Sequence, residues 1–140
     1  MATYNTDRAL YSQAKAGHIG TQCVDFTHTS TAAGSVGDVI NVCKVPKGAK
    51  FESLELFGAC VGTLLTFEVG DAGSSTRHGT LSLTATSTYK EPTAPKVGFK
   101  FESLSDSNNA NDWLFKLTVA TATSVSGGWS FSGQLRYHLD

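Results

Sequence analysis

Residues 129–138 read WSFSGQLRYH, and the phase of this run decides the fold. Trp129, Phe131, Gly133, Leu135 and Tyr137 occupy one phase of a two-residue period, while Ser130, Ser132, Gln134, Arg136 and His138 occupy the other. Successive side chains of an extended strand point to opposite faces, so this period gives one apolar face and one polar face. A helix would place its apolar residues three and four apart instead. The run is therefore predicted to be a strand buried on one side and wet on the other, as in antiparallel sheets.

The same alternation appears upstream. Trp113, Phe115, Leu117 and Val119 are set against Leu114, Lys116 and Thr118, and Phe99 and Phe101 against Lys100 and Glu102. Short runs rich in Val, Phe, Leu and Thr, separated by Gly, Asp, Asn and Pro, place strands near Gln22–His28, Val36–Val45, Ala49–Phe57, Thr63–Val69, Gly79–Ala85, Lys96–Leu104, Trp113–Ala122 and Trp129–His138. Their connections carry turn residues: Pro46-Lys47-Gly48, Gly70-Asp71-Ala72-Gly73, Asp106-Ser107-Asn108-Asn109 and Gly127-Gly128. Residues 86–95, with Pro92 and Pro95, are excluded from a central strand and read as a long crossing loop. The expectation is an all-β domain over residues 21–140, an antiparallel two-sheet sandwich or jelly roll of about eight strands, with a closed barrel as the alternative. Lys50-Phe51-Glu52-Ser53-Leu54 recurs as Lys100-Phe101-Glu102-Ser103-Leu104, which reads as two strands meeting the same half-buried environment rather than as a duplicated domain.

Residues 1–20 differ from the rest and are read as a short N-terminal arm. Thr6 suits the cap of a short helix, Asp7 its first turn and Gly17 its end. Ala9, Leu10, Tyr11 and Ala14 are few anchors, so the segment is either a frayed terminus or an arm that docks on a neighbouring subunit. In the second reading Tyr4, Asp7, Arg8, Leu10 and Tyr11 provide part of the contact.

Composition narrows the function classes. With 140 residues, 40% hydrophobic and 16% charged, the chain is long enough to bury a core without a metal or disulfide. The net charge of −1, with acidic and basic residues interspersed, gives no footprint for a phosphate backbone or an anionic membrane, so neither nucleic acid nor membrane is an expected partner. The start MATYNTDRALYSQAKAG has no basic and apolar leader pattern, so the protein is expected to stay soluble where it is made. Cys23, Cys43 and Cys60 are odd in number and lack C-x-x-C spacing, which suggests buried free thiols and synthesis in a reducing cytoplasm.

Residues that carry chemistry are scattered. His18, His28, His78 and His138 include no pair at i, i+2 or i, i+4, so no metal site is predicted. No G-x-S-x-G elbow or phosphate-binding loop exposes a nucleophile. Asp25, Asp38, Glu52, Glu55, Glu68, Asp71 and Glu102 fit polar strand phases or turns better than a catalytic pair. Gly70-Asp71 suits a tight turn pinned by the carboxylate better than calcium, which would need more oxygen ligands. Trp113 and Trp129, with Tyr89 and Tyr137, read as core but also as the possible platform of a carbohydrate-binding module. No catalytic, cofactor-binding or metal residue is therefore assigned, and the expected protein is non-enzymatic.

Residues 38–77 read DVINVCKVPKGAKFESLELFGACVGTLLTFEVGDAGSSTR. Lys44-Val45-Pro46-Lys47-Gly48-Ala49, then Leu54 and Leu56, Thr63-Leu64 and Val69-Gly70-Asp71 before a small polar loop, resemble a pattern in small virion proteins of tailed bacteriophages of the capsid decoration or cement type. The resemblance covers about a third of the chain. It implies a β-sandwich subunit made in the host cytoplasm and placed on the capsid exterior. There it would bind the major capsid protein and stabilise contacts between its subunits, often as a homotrimer at a threefold or quasi-threefold point. Some proteins of this look belong to tails or fibres, and a carbohydrate-binding or tail/fibre module is the alternative function.

Overall fold

The computed structural model describes residues 3–7, 20–30, 34–46, 49–71, 74–98, 112–123 and 128–139. Nine strands form two sheets: β1 (Thr3–Asn5), β2 (Gly20–Ser30), β3 (Val39–Pro46), β4 (Lys50–Cys60), β5 (Leu64–Asp71), β6 (Thr80–Leu83), β7 (Thr88–Lys90), β8 (Asp112–Thr123) and β9 (Trp129–Leu139). One sheet has the order β1-β3-β8-β5-β6 and the other β2-β9-β4-β7, giving a β-sandwich. No helix occurs among the described residues.

The alternation in β9 sets the second sheet. Trp129, Phe131, Leu135 and Tyr137 are buried, and Ser130, Ser132 and Arg136 are exposed. In β8, Phe115, Leu117 and Val119 are buried in the same way. The two apolar faces meet: the Phe67 ring on β5 lies 5.7 Å from Trp129 and 6.0 Å from Phe131 on β9, and Phe51 on β4 lies 6.2 Å from Phe115 on β8. Burying such faces is the main favourable term in folding, with roughly 25 cal/mol gained per Å² of apolar surface removed from water.

Two bulges adjust the pattern. A register shift between Asn41 and Cys43 in β3 lets both Val42 and Cys43 point into the core. A second, between Phe51 and Ser53 in β4, moves the buried phase from Phe51 to Leu54, Leu56 and Cys60.

Several expectations are corrected. Residues 86–95 contain β7, which adds to the edge of β4 through the pairs Leu56–Lys90, Phe57–Tyr89 and Gly58–Thr88, ahead of the prolines that prevent its extension. The strand expected near Lys96–Leu104 does not begin at Lys96: residues 97–98 form a turn in which Gly98 takes φ +81°, and residues 99–104 lie outside the described residues. β3 starts at Val39 rather than Val36, because residues 36–37 turn with Gly37 at φ +94° and the Ser35 N–H donates to Asp38 Oδ2. Thr6 does not act as a helix cap. Its backbone N–H donates to the Asn41 carbonyl at 3.0 Å and its hydroxyl to the Val42 carbonyl at 2.5 Å, extending the parallel pairing of β1 with β3. The three cysteines are free, but Cys23 is exposed, because Val24, Phe26 and His28 take the inward phase of β2.

Candidate interaction surface

The outward face of the four-stranded sheet carries carboxylate, amide, guanidinium, hydroxyl and aromatic groups. Strand register sets its rows. Asp25, Gln134 and Glu55 stand side by side on β2, β9 and β4, and Thr27, Ser132, Phe57 and Tyr89 form the next row across all four strands. Gln134 Nε2 donates to Asp25 Oδ1 at 2.9 Å, and Arg136 Nε donates to Gln134 Oε1 at 2.9 Å, so the amide links a carboxylate to a guanidinium. A shallow groove of about 450 Å³ runs over these rows, with Asp7, Asp25 and Glu55 on its polar side and Phe57 and Tyr89 on its apolar side. Phe57 is 41% and Tyr89 76% exposed, and their tilted rings lie 5.0 Å apart. Exposed aromatic rings beside polar hydrogen-bonding groups are a common make-up for a contact surface.

The N-terminal segment crosses the open side of the sandwich between the edges of the two sheets. β1 pairs with β3, and Asp7 then reaches β2, where its N–H donates to the Thr27 carbonyl at 3.2 Å and its Oδ1 accepts the Thr27 N–H at 2.8 Å. On the way the Asn5 carbonyl lies 3.3 Å from His28 Nδ1. Tyr4 is half-buried, edge-on to His28 and to Trp129 at 5.7 and 5.8 Å. Of the expected contact residues, Tyr4 and Asp7 are thus engaged within the chain, and Arg8, Leu10 and Tyr11 lie outside the described residues.

A buried polar corner closes the loop after β5. Asp71 accepts the Ser74 N–H at Oδ1 and a forked pair from Arg77, with Nε to Oδ2 at 3.0 Å and Nη2 to Oδ1 at 3.3 Å. The carboxylate is fully buried and the guanidinium nearly so, so the pair replaces lost hydration with fixed bonds. Asp71 holds its turn as expected of a residue following Gly70; its cation, Arg77, had no spacing signal to reveal it. Next to this pair, His78 is buried and stacked on Phe51 with ring centroids 3.9 Å apart. The Lys96 N–H donates to His78 Nδ1 at 3.0 Å, which puts the imidazole proton on Nε2, an atom with no hydrogen-bond partner among the described residues. Burial drives the His78 pKa down to about 4, with Arg77 and Lys96 adding to the effect and Asp71 opposing it.

The other candidates separate. His28 packs among Tyr4, Trp129 and Phe131, and burial lowers its pKa, while His138 lies on the outer face 3.8 Å from Glu52. His18 lies outside the described residues. Trp129 is 2% exposed and belongs to the core rather than to a platform; the Trp113 side chain lies outside the described residues. Burial raises the Cys43 thiol to about 12 and the Cys60 thiol above its ordinary value, so neither is poised as a nucleophile. Among the described residues, no three His, Cys, Asp or Glu side chains converge as a metal set. Alternation alone could not find the Phe57–Tyr89 pair, because it depends on which strand borders β4.

The chain matches no protein-family model and no curated protein. Among solved structures it is similar to a chain of the "Cyanophage Pam1 capsid asymmetric unit", at 22% identity and TM-score 0.58 over 96% of this chain and 98% of that one. It is also similar to a chain of the "Capsid of Ralstonia phage GP4", at 13% identity and TM-score 0.61 over 99% of this chain and 98% of that one. At these identities the likeness establishes a shared fold.

Proposed function

We propose that this chain is a non-enzymatic virion structural protein of a tailed bacteriophage, and specifically a capsid decoration protein that binds the outside of the head. The observation that carries the reading is the near end-to-end likeness of its sandwich to chains of two phage capsid structures. The sequence pattern over residues 38–77 points the same way.

The physical role is simple. A protein that binds only the assembled lattice of major capsid protein stabilises it by mass action, since its binding free energy is lost when the subunits separate. Many copies with weak contacts then act together, and a net charge of −1 keeps repulsion between neighbouring copies small. Self-association as a homotrimer at threefold positions fits this arrangement. The segment that follows Asp7, with Arg8, Leu10 and Tyr11, is proposed to contribute to the capsid or intersubunit contact.

Antibody against the chain, applied to intact particles of the phage that encodes it, tests the address. Labelling spread over the head supports decoration, labelling of tail or fibres moves the protein there, and absence from purified particles overturns the virion reading. A deletion of residues 2–17 would also remove β1 and the Asp7 bridge, so the arm is better tested with Arg8→Glu, Leu10→Ser and Tyr11→Ser. Reduced occupancy on undecorated heads is expected, and full occupancy by a folded triple variant would discard the arm contact.

The exposed Phe57 and Tyr89 beside Asp25, Gln134 and Glu55 favour one further reading, a glycan contact on the outer face. Glycan-array binding lost in Tyr89→Ala would support it.

A further inference from the structure

We propose that β2 pairs with β2 of a second copy of this chain, antiparallel, about a twofold axis through Cys23. β2 is an edge strand of eleven residues, paired with β9 in unbroken register from Gly20 to Ser30. In a strand, the N–H and C=O of alternate residues point to opposite sides. Thr27 turns both of its groups away from β9, since both bond to Asp7. Thr21, Cys23 and Asp25 share that phase, so they present backbone donors and acceptors along the free edge, with no backbone partner among the described residues.

The other edges are managed. β1 and β7 have three residues each, and β6 has four, where Thr93 closes on Thr80 through two hydrogen bonds. Among the described residues, the first half of β2 has none of the usual edge protections: no lysine, no proline, no bulge and no covering segment, and its carboxylate Asp25 is already engaged by Gln134.

The stretch left uncovered by the described residues selects its occupant. It begins at Gly20, where β2 starts, and stops before Thr27, which Asp7 covers, so its centre is Cys23. A twofold through that centre sets Thr21 opposite Asp25 of the second copy, Cys23 opposite Cys23, and Gln22 opposite Val24. No like charges face each other, and Thr21, Cys23 and Asp25 each exchange both backbone bonds with the facing residue. Off-centre registers waste part of the ladder or run into Asp7. The pairing is small, so it is weak between free chains and strengthened where copies are held close together.

A short bis-maleimide applied to the full-length chain over a range of concentrations tests the proposal, since facing Cα atoms in such a pair lie about 5.5 Å apart. A covalent dimer is expected from the wild type and none from Cys23→Ser. Cys43 and Cys60 are buried, so the product should stop at the dimer whatever the native oligomer. Cys23→Lys, at an exposed site that leaves the fold intact, sets two cations against each other and should abolish the concentration-dependent slowing of amide exchange at Thr21, Cys23 and Asp25. The proposal is overturned if the wild type gives no covalent dimer while a monovalent maleimide labels Cys23, or if Cys23→Lys retains the protection. Slowing that appears only after mixing with capsid shells would assign the edge to another protein and also overturn it. The measurement needs no particle, so it stands or fails separately from the virion role.

Discussion

His78 lies face to face with Phe51, ring centroids 3.9 Å apart and planes 23° from parallel, inside a corner that also holds Asp71 and Arg77. Its Nδ1 accepts the Lys96 N–H, so protonation there breaks a bond as well as burying a charge.

This makes stability depend on pH. The imidazole takes up a proton near 6.5 when unfolded and near 4 when folded, so between those values the unfolded chain holds more protons. Stability should therefore fall as pH drops from about 6.5 to about 4, by on the order of 2 kcal/mol. Urea titrations across this window should show a shallower dependence in His78→Phe, and an unchanged slope would remove His78 as the cause.

Asp71 and Arg77 form a buried pair in which each group depends on the other. Asp71→Ala and Arg77→Ala should each cost about 3 kcal/mol, because each strands a charge in the interior. The double variant should cost clearly less than the sum, and additive losses in a double-mutant cycle would contradict the coupling.

Gly133 takes an inward phase in the middle of β9, beneath the Phe26 ring. A Cβ there would lie 2.5 Å from the Glu55 carbonyl oxygen and 2.7 Å from Phe26 Cζ. Gly133→Ala should destabilise by about 2 kcal/mol, while Ser132→Ala on the exposed phase should stay within about 0.5 kcal/mol. Equal midpoints in denaturant would show that the layers have room to part.

Asp7 covers the β2 edge through one backbone and one side-chain bond to Thr27. At an exposed site, Asp7→Ala should cost about 1 kcal/mol and speed exchange of the Thr27 amide. An unchanged exchange rate at Thr27 would show that the bridge does not form in solution.

Much of this architecture was readable from residue phase. The β9 and β8 alternations identified the inward residues Trp129, Phe131, Leu135, Tyr137, Phe115, Leu117 and Val119, because burial on one face imposes a period of two. Phase reading failed where backbone geometry changes the count, as at Asn41/Cys43 and Phe51/Ser53, or where a short strand such as β7 exists because a neighbour offers an edge. The outer-face groove was least legible. Asp25, Phe57, Tyr89 and Gln134 come from four strands far apart in sequence, and their meeting depends on strand order, which local pattern does not specify.

That order also governs how the chain must be made. β8 and β9 lie inside the two sheets, each flanked on both sides by strands translated earlier. Until residues 112–139 have left the ribosome, β2 lacks its ladder partner, and β3 and β5 lack the strand that joins them. Closure is thus a late, long-range event, and nascent apolar strands must wait for it without partners. Slow synthesis of the final fifth would lengthen that vulnerable interval, and chaperone demand should rise with it.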